Sequence, residues 1–208
     1  MMLAWALIGF AAGSLINRAA DRWPHLGSQQ PGHRWFGVAI MLSATFAFVW
    51  LYSASGPLEQ RLPLAAALCF LLLIAAIDLK HRIIPNVLLG PAAIIVLLFH
   101  AVPPRGQTLG ALLGGVVGLA PFLLVALLRP GSLGGGDIKL AALIGLCAGF
   151  PLVLWPVSLG IIVGGVTSIA LIITRRGERG SQLPYAPFLC LGAIVALFYN
   201  PLSTLLRK

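Results

Sequence analysis

Two aspartates are placed where a carboxyl group could do chemistry. Asp137 follows three glycines in Gly134-Gly135-Gly136-Asp137-Ile138-Lys139, and Asp78 closes an apolar run just before Lys80-His81-Arg82. Each stands at the edge of a long hydrophobic stretch, in a chain with only five acidic residues. A carboxylate near the core of a bilayer costs about 3 kcal/mol on insertion scales, so such a residue needs a role. Two carboxyls that face each other in a low dielectric cannot both ionise comfortably, and they share one proton. One of them can then deprotonate a water while the other, protonated, polarises a carbonyl. This is the chemistry of aspartic proteases. Glycines lack Cβ, allow close approach and permit unusual dihedrals, so a glycine turn before Asp137 suits a carboxyl held at a helix mouth. The plainer alternative makes Asp137 an N-cap favoured by the helix dipole, or makes both aspartates partners of Lys80, Arg82 and Lys139.

The elements that must hold these residues are membrane helices. The chain has 208 residues, 59% of them hydrophobic and 9% charged, with a mean hydropathy of +0.99. A soluble domain of this size cannot bury so much apolar surface. Long uncharged segments recur, which predicts an all-α polytopic transmembrane bundle of about eight spans. It is expected to form a single membrane-embedded domain over residues 1–208 with no separate soluble domain. The net charge of +9 fits basic loops facing anionic lipid, so the lipid bilayer is the expected partner and nucleic acid is not. Cys69, Cys147 and Cys190 each lie inside apolar segments and form no CxxC pair. They read as core residues rather than a disulfide framework or a zinc site.

The predicted spans run from about Met1 to Ile16, Trp35 to Ser53, Leu62 to Asp78, and Pro85-Asn86 to Ala101. The fifth covers Thr108 to Leu128, with Gly110, Gly114 and Gly118 forming a face for close helix approach. From Ile138 to Thr174 the only charge is Lys139. As one helix this run would be about 55 Å long against a hydrocarbon core of ~30 Å. It is therefore predicted to break at Gly149-Phe150-Pro151 into a sixth and a seventh span. The last covers Tyr185 to Leu202. The first span has no basic residue before it and Arg18 after it, which reads as a retained anchor with the N-terminus outside. Basic residues then concentrate in the cytoplasmic loops, and Asp78 and Asp137 fall at the same cytoplasmic edge.

The segments around these residues resemble the type IV prepilin peptidase family. Gly134-Gly135-Gly136-Asp137 is similar to its GxGD motif, and Asp78-Leu79-Lys80-His81-Arg82-Ile83-Ile84-Pro85-Asn86 to the stretch after its first aspartate. Gly13-Ser14, Asn17 and Arg22-Trp23-Pro24 resemble its N-terminal pattern, and Pro184-Tyr185-Ala186-Pro187 its late Pro-x-x-Pro. The four segments occur in the family's order. The resemblance implies a membrane aspartic endopeptidase in the cytoplasmic (inner) membrane. It would cleave the basic leaders of prepilins or pseudopilins at the cytoplasmic face, with Asp78 and Asp137 catalytic. Gly134, Gly135, Gly136, Lys139, Lys80, Pro85, Asn86, Pro184, Pro187, Gly13, Ser14 and Asn17 would position the pair or lie near the substrate. The cut is expected to need no cofactor and no metal. Many members carry a zinc-binding CxxC insertion after the first span that is associated with N-methylation. The short loop from Asn17 to Arg34 has no cysteine, so methylation is not expected here.

Three rival readings have discriminating features. A GxGD intramembrane protease of the presenilin or signal-peptide-peptidase type keeps the two aspartates, but Ile77 stands where those families have Tyr, and no Pro-Ala-Leu occurs. A proton- or cation-coupled transporter would also use intramembrane carboxylates, yet no inverted repeat is visible. A structural subunit with a decayed site is disfavoured by the intact glycine-aspartate motif.

Overall fold

The structure is a computed structural model that describes residues 2–22, 34–53, 58–102, 107–131, 133–173, 185–199 and 201. Eight helices account for the regular structure among them: α1 (Met2–Asp21), α2 (Arg34–Ser53), α3 (Leu58–His81), α4 (Asn86–Ala101), α5 (Thr108–Leu128), α6 (Gly135–Ala148), α7 (Leu154–Ile173) and α8 (Ala186–Phe198). Three are long and apolar enough to cross a membrane: α1, the Arg61–His81 part of α3, and α5. Four shorter apolar helices accompany them. Large hydrophobic side chains such as Leu3, Phe46, Ile95 and Leu128 point outward. Helices apolar on all faces suit lipid rather than water, and the chain is accordingly a multi-pass membrane protein.

The chain divides into two compact units, Met1–Ile83 and Ile84–Lys208. In the first, α1 and α2 run antiparallel at close range. A Cβ on Gly13 would lie 2.7 Å from Met41 Cα, and one on Gly9 2.9 Å from Thr45 Cα. Helix α3 packs on both and ends in a left-handed residue, Arg82, at φ 53°. The Arg82 N–H closes the last turn on the Asp78 carbonyl at 2.8 Å. A side chain in that conformation costs about 1–2 kcal/mol, most for a β-branched residue. Arg82→Val is therefore expected to lower the thermal midpoint in detergent and Arg82→Gly to maintain or raise it; equal midpoints would mean that the turn carries no strain.

In the second unit, α5 and α6 form a tight antiparallel pair. The backbones touch where Gly114 meets Gly145, so that any Cβ at either position would strike the other helix. Gly118 packs on the Ala141 carbonyl, and the Phe150 N–H bonds the Gly110 carbonyl at 2.8 Å. Each step of four along α5 thus meets a step of four back along α6. The long apolar run does break after Ala148: Gly149 takes a positive φ of 69°, and a turn through Val153 leads into α7. Helices α7 and α8 pair antiparallel through Gly160, Gly164 and Gly192. Several predicted loop features, including Trp23-Pro24, Pro103-Pro104 and the basic segment from Arg175, lie outside the described residues.

Candidate active site

In the first unit, Asp78 lies in the last turn of α3 and is 5% exposed, beside the fully buried Ile74, Ala76 and Ile77. The two residues after Leu79 fasten this turn to the end of α1. Lys80 Nζ donates to Asp21 Oδ1 at 2.6 Å, Asn17 Oδ1 at 2.7 Å and the Asn17 carbonyl at 3.3 Å. These acceptors match the three hydrogens of the ammonium group, so each of its donors has a partner. His81, also buried, has Nε2 2.8 Å from the Ala20 carbonyl. A carbonyl can only accept, so Nε2 is the donor. Asp78 therefore sits in a turn clamped by two polar attachments to one helix end. Asp21 is 57% exposed, so Asp21→Ala is expected to cost about 1–2 kcal/mol rather than the 3–5 of a fully buried pair. Denaturation in detergent should show Asp21→Ala/Lys80→Met to be more stable than Asp21→Ala alone; a double variant no better would deny the clamp its charge.

In the second unit, Asp137 is not the N-cap. Gly134 holds that place in extended conformation, with no side-chain cap, and Gly135 and Gly136 are already helical. Asp137 is the third helical residue and its N–H bonds the Gly134 carbonyl at 3.0 Å. Its carboxyl turns back on the N-cap: the Gly134 backbone hydrogen-bonds it, and Oδ2 is 3.1 Å from where a Cβ on residue 134 would stand. The helix dipole favours a negative charge there. The other oxygen, Oδ1, is buried and has no hydrogen-bond partner among the described residues. A buried polar atom left open in this way is costly and calls for an explanation.

Two further features fix this helix start. A Cβ on Gly136 would lie 2.7 Å from Ile84 Cβ, so the absent side chain lets the segment ahead of α4 pass against α6. One turn away, Lys139 Nζ donates to Asn86 Oδ1 at 2.8 Å. Pro85 is the N-cap of α4, and its carbonyl receives the Leu88 and Leu89 N–H groups. The motif residues after Asp78 and after the glycines, Pro85-Asn86 and Lys139, are thus joined.

Of the remaining motif residues, Gly13 packs against α2, and Ser14 bonds the Ala11 carbonyl one turn back at 2.8 Å. Both lie on α1 at or before the turn that leads to Asn17. Pro187 is in the first turn of α8, and Pro184 lies outside the described residues. The site residues expected from the sequence leave out Asp21, His81 and Tyr185. Asp21 could have been noticed as the acid four residues after Asn17 on one helix face; no local signal marks the partner of His81.

A family model described as the type IV leader peptidase family matches residues 65–169, just over half of the chain. The chain belongs to this family. The match takes in both aspartates, the Pro85-Asn86 start of α4 and the glycine-rich start of α6. Curated relatives carry the name prepilin leader peptidase/N-methyltransferase. The one from Bacillus subtilis (strain 168) is 28% identical over 141 residues, 68% of this chain and 57% of the relative. That of Pseudomonas aeruginosa is 28% identical over 135 residues, covering 62% and 47%. That of Aeromonas salmonicida (strain A449) is 30% identical over 144 residues, covering 66% and 50%. The chain spans about half the length of the curated relatives it matches. No solved structure matches it. Among the described residues, no group of three or more His, Cys, Asp or Glu could hold a metal ion, and the three cysteines lie apart on α3, α6 and α8. The cysteines present therefore do not fit the zinc site that the family's CxxC insertion implies.

Proposed function

We propose that this protein is a membrane aspartic endopeptidase that removes the basic leaders of type IV prepilins or pseudopilins at the cytoplasmic face of the inner membrane. The observation that carries the reading is Asp137: a buried carboxyl in the glycine-rich first turn of α6, with one oxygen held and the other open, inside the segment matched by the peptidase family. Asp78 and Asp137 act as the pair. The ionised member takes a proton from a water molecule, and the water oxygen bonds to the scissile carbonyl carbon as the protonated member gives its proton to the carbonyl oxygen. The tetrahedral intermediate then loses the leaving amine, which takes a proton from one aspartate while a hydroxyl of the intermediate returns its proton to the other, and the carboxyl product remains on the leader. The two aspartates titrate as a unit, and no single proton position is assigned to either. The substrate brings a basic leader and a hydrophobic helix; the helix lies in the bilayer and the leader at its cytoplasmic side. An N-terminus outside the membrane would place Arg18 and Arg22, Lys80 and Arg82, and Arg129 and Lys139 on the cytoplasmic side.

Purified protein in liposomes with a prepilin should release the shortened pilin, and a chelator should leave the rate unchanged. A prepilin left intact by well-folded protein would overturn the reading. The product is expected to keep a free N-terminal amine when S-adenosylmethionine is supplied, because the cysteine-free stretch of sequence between α1 and α2 is too short for a pocket of several hundred Å³ with its own walls. Mass spectrometry that finds the product heavier by one methyl group, dependent on this protein alone, would contradict that part.

A further inference from the structure

Tyr185 directly precedes α8, and its surroundings bring it to the level of Asp137. Gly114 meets Gly145 and Gly118 meets Ala141 across the α5–α6 pair. The next step in the same register sets Phe122 opposite Asp137. Phe122 is 4% exposed, and the Tyr185 ring stands edge-on to it with centroids 5.7 Å apart. Phe188 holds another side of the ring at 6.1 Å. Gly164 of α7 supplies the space: a Cβ there would lie 2.7 Å from Tyr185 Cε2. Three helices thus fix the ring. The hydroxyl is fixed less well, because its acceptor among the described residues, the Gly160 carbonyl, is 3.5 Å away. A phenol hydroxyl on a half-buried ring held between helices is expected to hold a stronger bond than that. Lys139, the cation nearest to Asp137 in sequence on α6, is engaged by Asn86.

We infer that Tyr185 is a positioning residue for Asp137, its hydroxyl turning from the Gly160 carbonyl to donate to the open Asp137 carboxyl oxygen and so fixing the rotamer in which Asp137 meets water and peptide. Two incomplete groups complete each other: a buried acceptor with no donor among the described residues, and a hydroxyl with a poor acceptor. This inference rests on the proposed peptidase reading for the consequence in catalysis, although the hydrogen bond itself does not.

The test compares wild type, Tyr185→Phe and Gly164→Ala by steady-state cleavage of a prepilin and by infrared difference spectroscopy. The Asp137 carboxyl band is assigned by its loss in Asp137→Asn. Tyr185→Phe keeps the ring and removes only the donor. Its kcat should fall about tenfold with KM nearly unchanged, the size of one neutral hydrogen bond made at the reacting group, and the band should move to higher frequency. Gly164→Ala displaces the ring and keeps the hydroxyl, and should change rate and band in the same direction. A rate loss without a band shift, or a band shift without a rate loss in a cleaving enzyme, overturns the inference. Should wild type cleave nothing, the peptidase reading fails, and the band alone decides whether Tyr185 holds Asp137: an unmoved band in Tyr185→Phe refutes it.

Discussion

Replacing either Asp78 or Asp137 by asparagine is expected to abolish leader cleavage in a protein that stays folded. General acid and base roles each contribute up to about 10⁴-fold. Residues that act as one unit lose most of that on the first substitution, so the double variant should be no worse than either single one. Asparagine matches aspartate in shape and removes a charge from a buried position. At Asp137, where one oxygen has no partner among the described residues, the thermal midpoint should therefore hold or rise. Residual cleavage above one per cent of wild type in either variant would remove that residue from the mechanism. Loss of the folded protein would show the carboxyl to be structural.

Gly136→Ala should be almost as damaging, by a different route. The added Cβ would need to stand 2.7 Å from Ile84 Cβ, and Ile84 is itself buried. Overpacking of this kind costs about 1–3 kcal/mol and is relieved by moving the backbone. One side of this contact is the first turn of α6, which carries Asp137. A displacement of about 1 Å at a reacting group costs roughly 100-fold in rate, so Gly136→Ala should lose about that much kcat. Ile84→Gly in the same chain removes the Cβ that the new methyl would strike and should restore about tenfold of the loss, a coupling expected only between residues in contact. Full activity in Gly136→Ala, or no recovery in the double variant, would show that α6 is not positioned by this contact.

The helix ends were legible because proline and glycine mark them. Thr108 to Leu128 is both the predicted fifth span and α5, and α4 begins at Asn86, directly after Pro85, as the Pro-Asn pair implies. The break after Ala148 followed from length alone, since an uninterrupted helix would be longer than the bilayer is thick. The glycine triplet was harder to read. Glycine signals a turn by propensity, yet Gly135 and Gly136 are helical, because Ile84 takes the space a side chain at 136 would need. Tertiary packing overrode local preference and moved Asp137 from the cap into the helix. Contacts between distant segments left little trace. The motifs mark Asn17 and Lys80 separately, but nothing in their spacing reveals that Asp21 and Asn17 share one ammonium, or that the Ala20 carbonyl receives His81. Tyr185 lies inside a recognised motif, and its link to Asp137 emerges only from the α5–α6 register.

The shortness of α6 bears on how water reaches a peptide bond. Its 14 residues span about 21 Å at 1.5 Å per residue, some 9 Å less than the hydrocarbon thickness. A bilayer answers such mismatch by thinning locally. Because the polar, glycine-rich end of α6 carries the buried carboxyl, a dimple in the lipid at that end would bring the aqueous boundary down toward Asp137 instead of requiring Asp137 to reach up to it. Hydrolysis needs water at one bond of a chain whose neighbouring segment is dissolved in oil. A helix shorter than its membrane is thick would meet both needs.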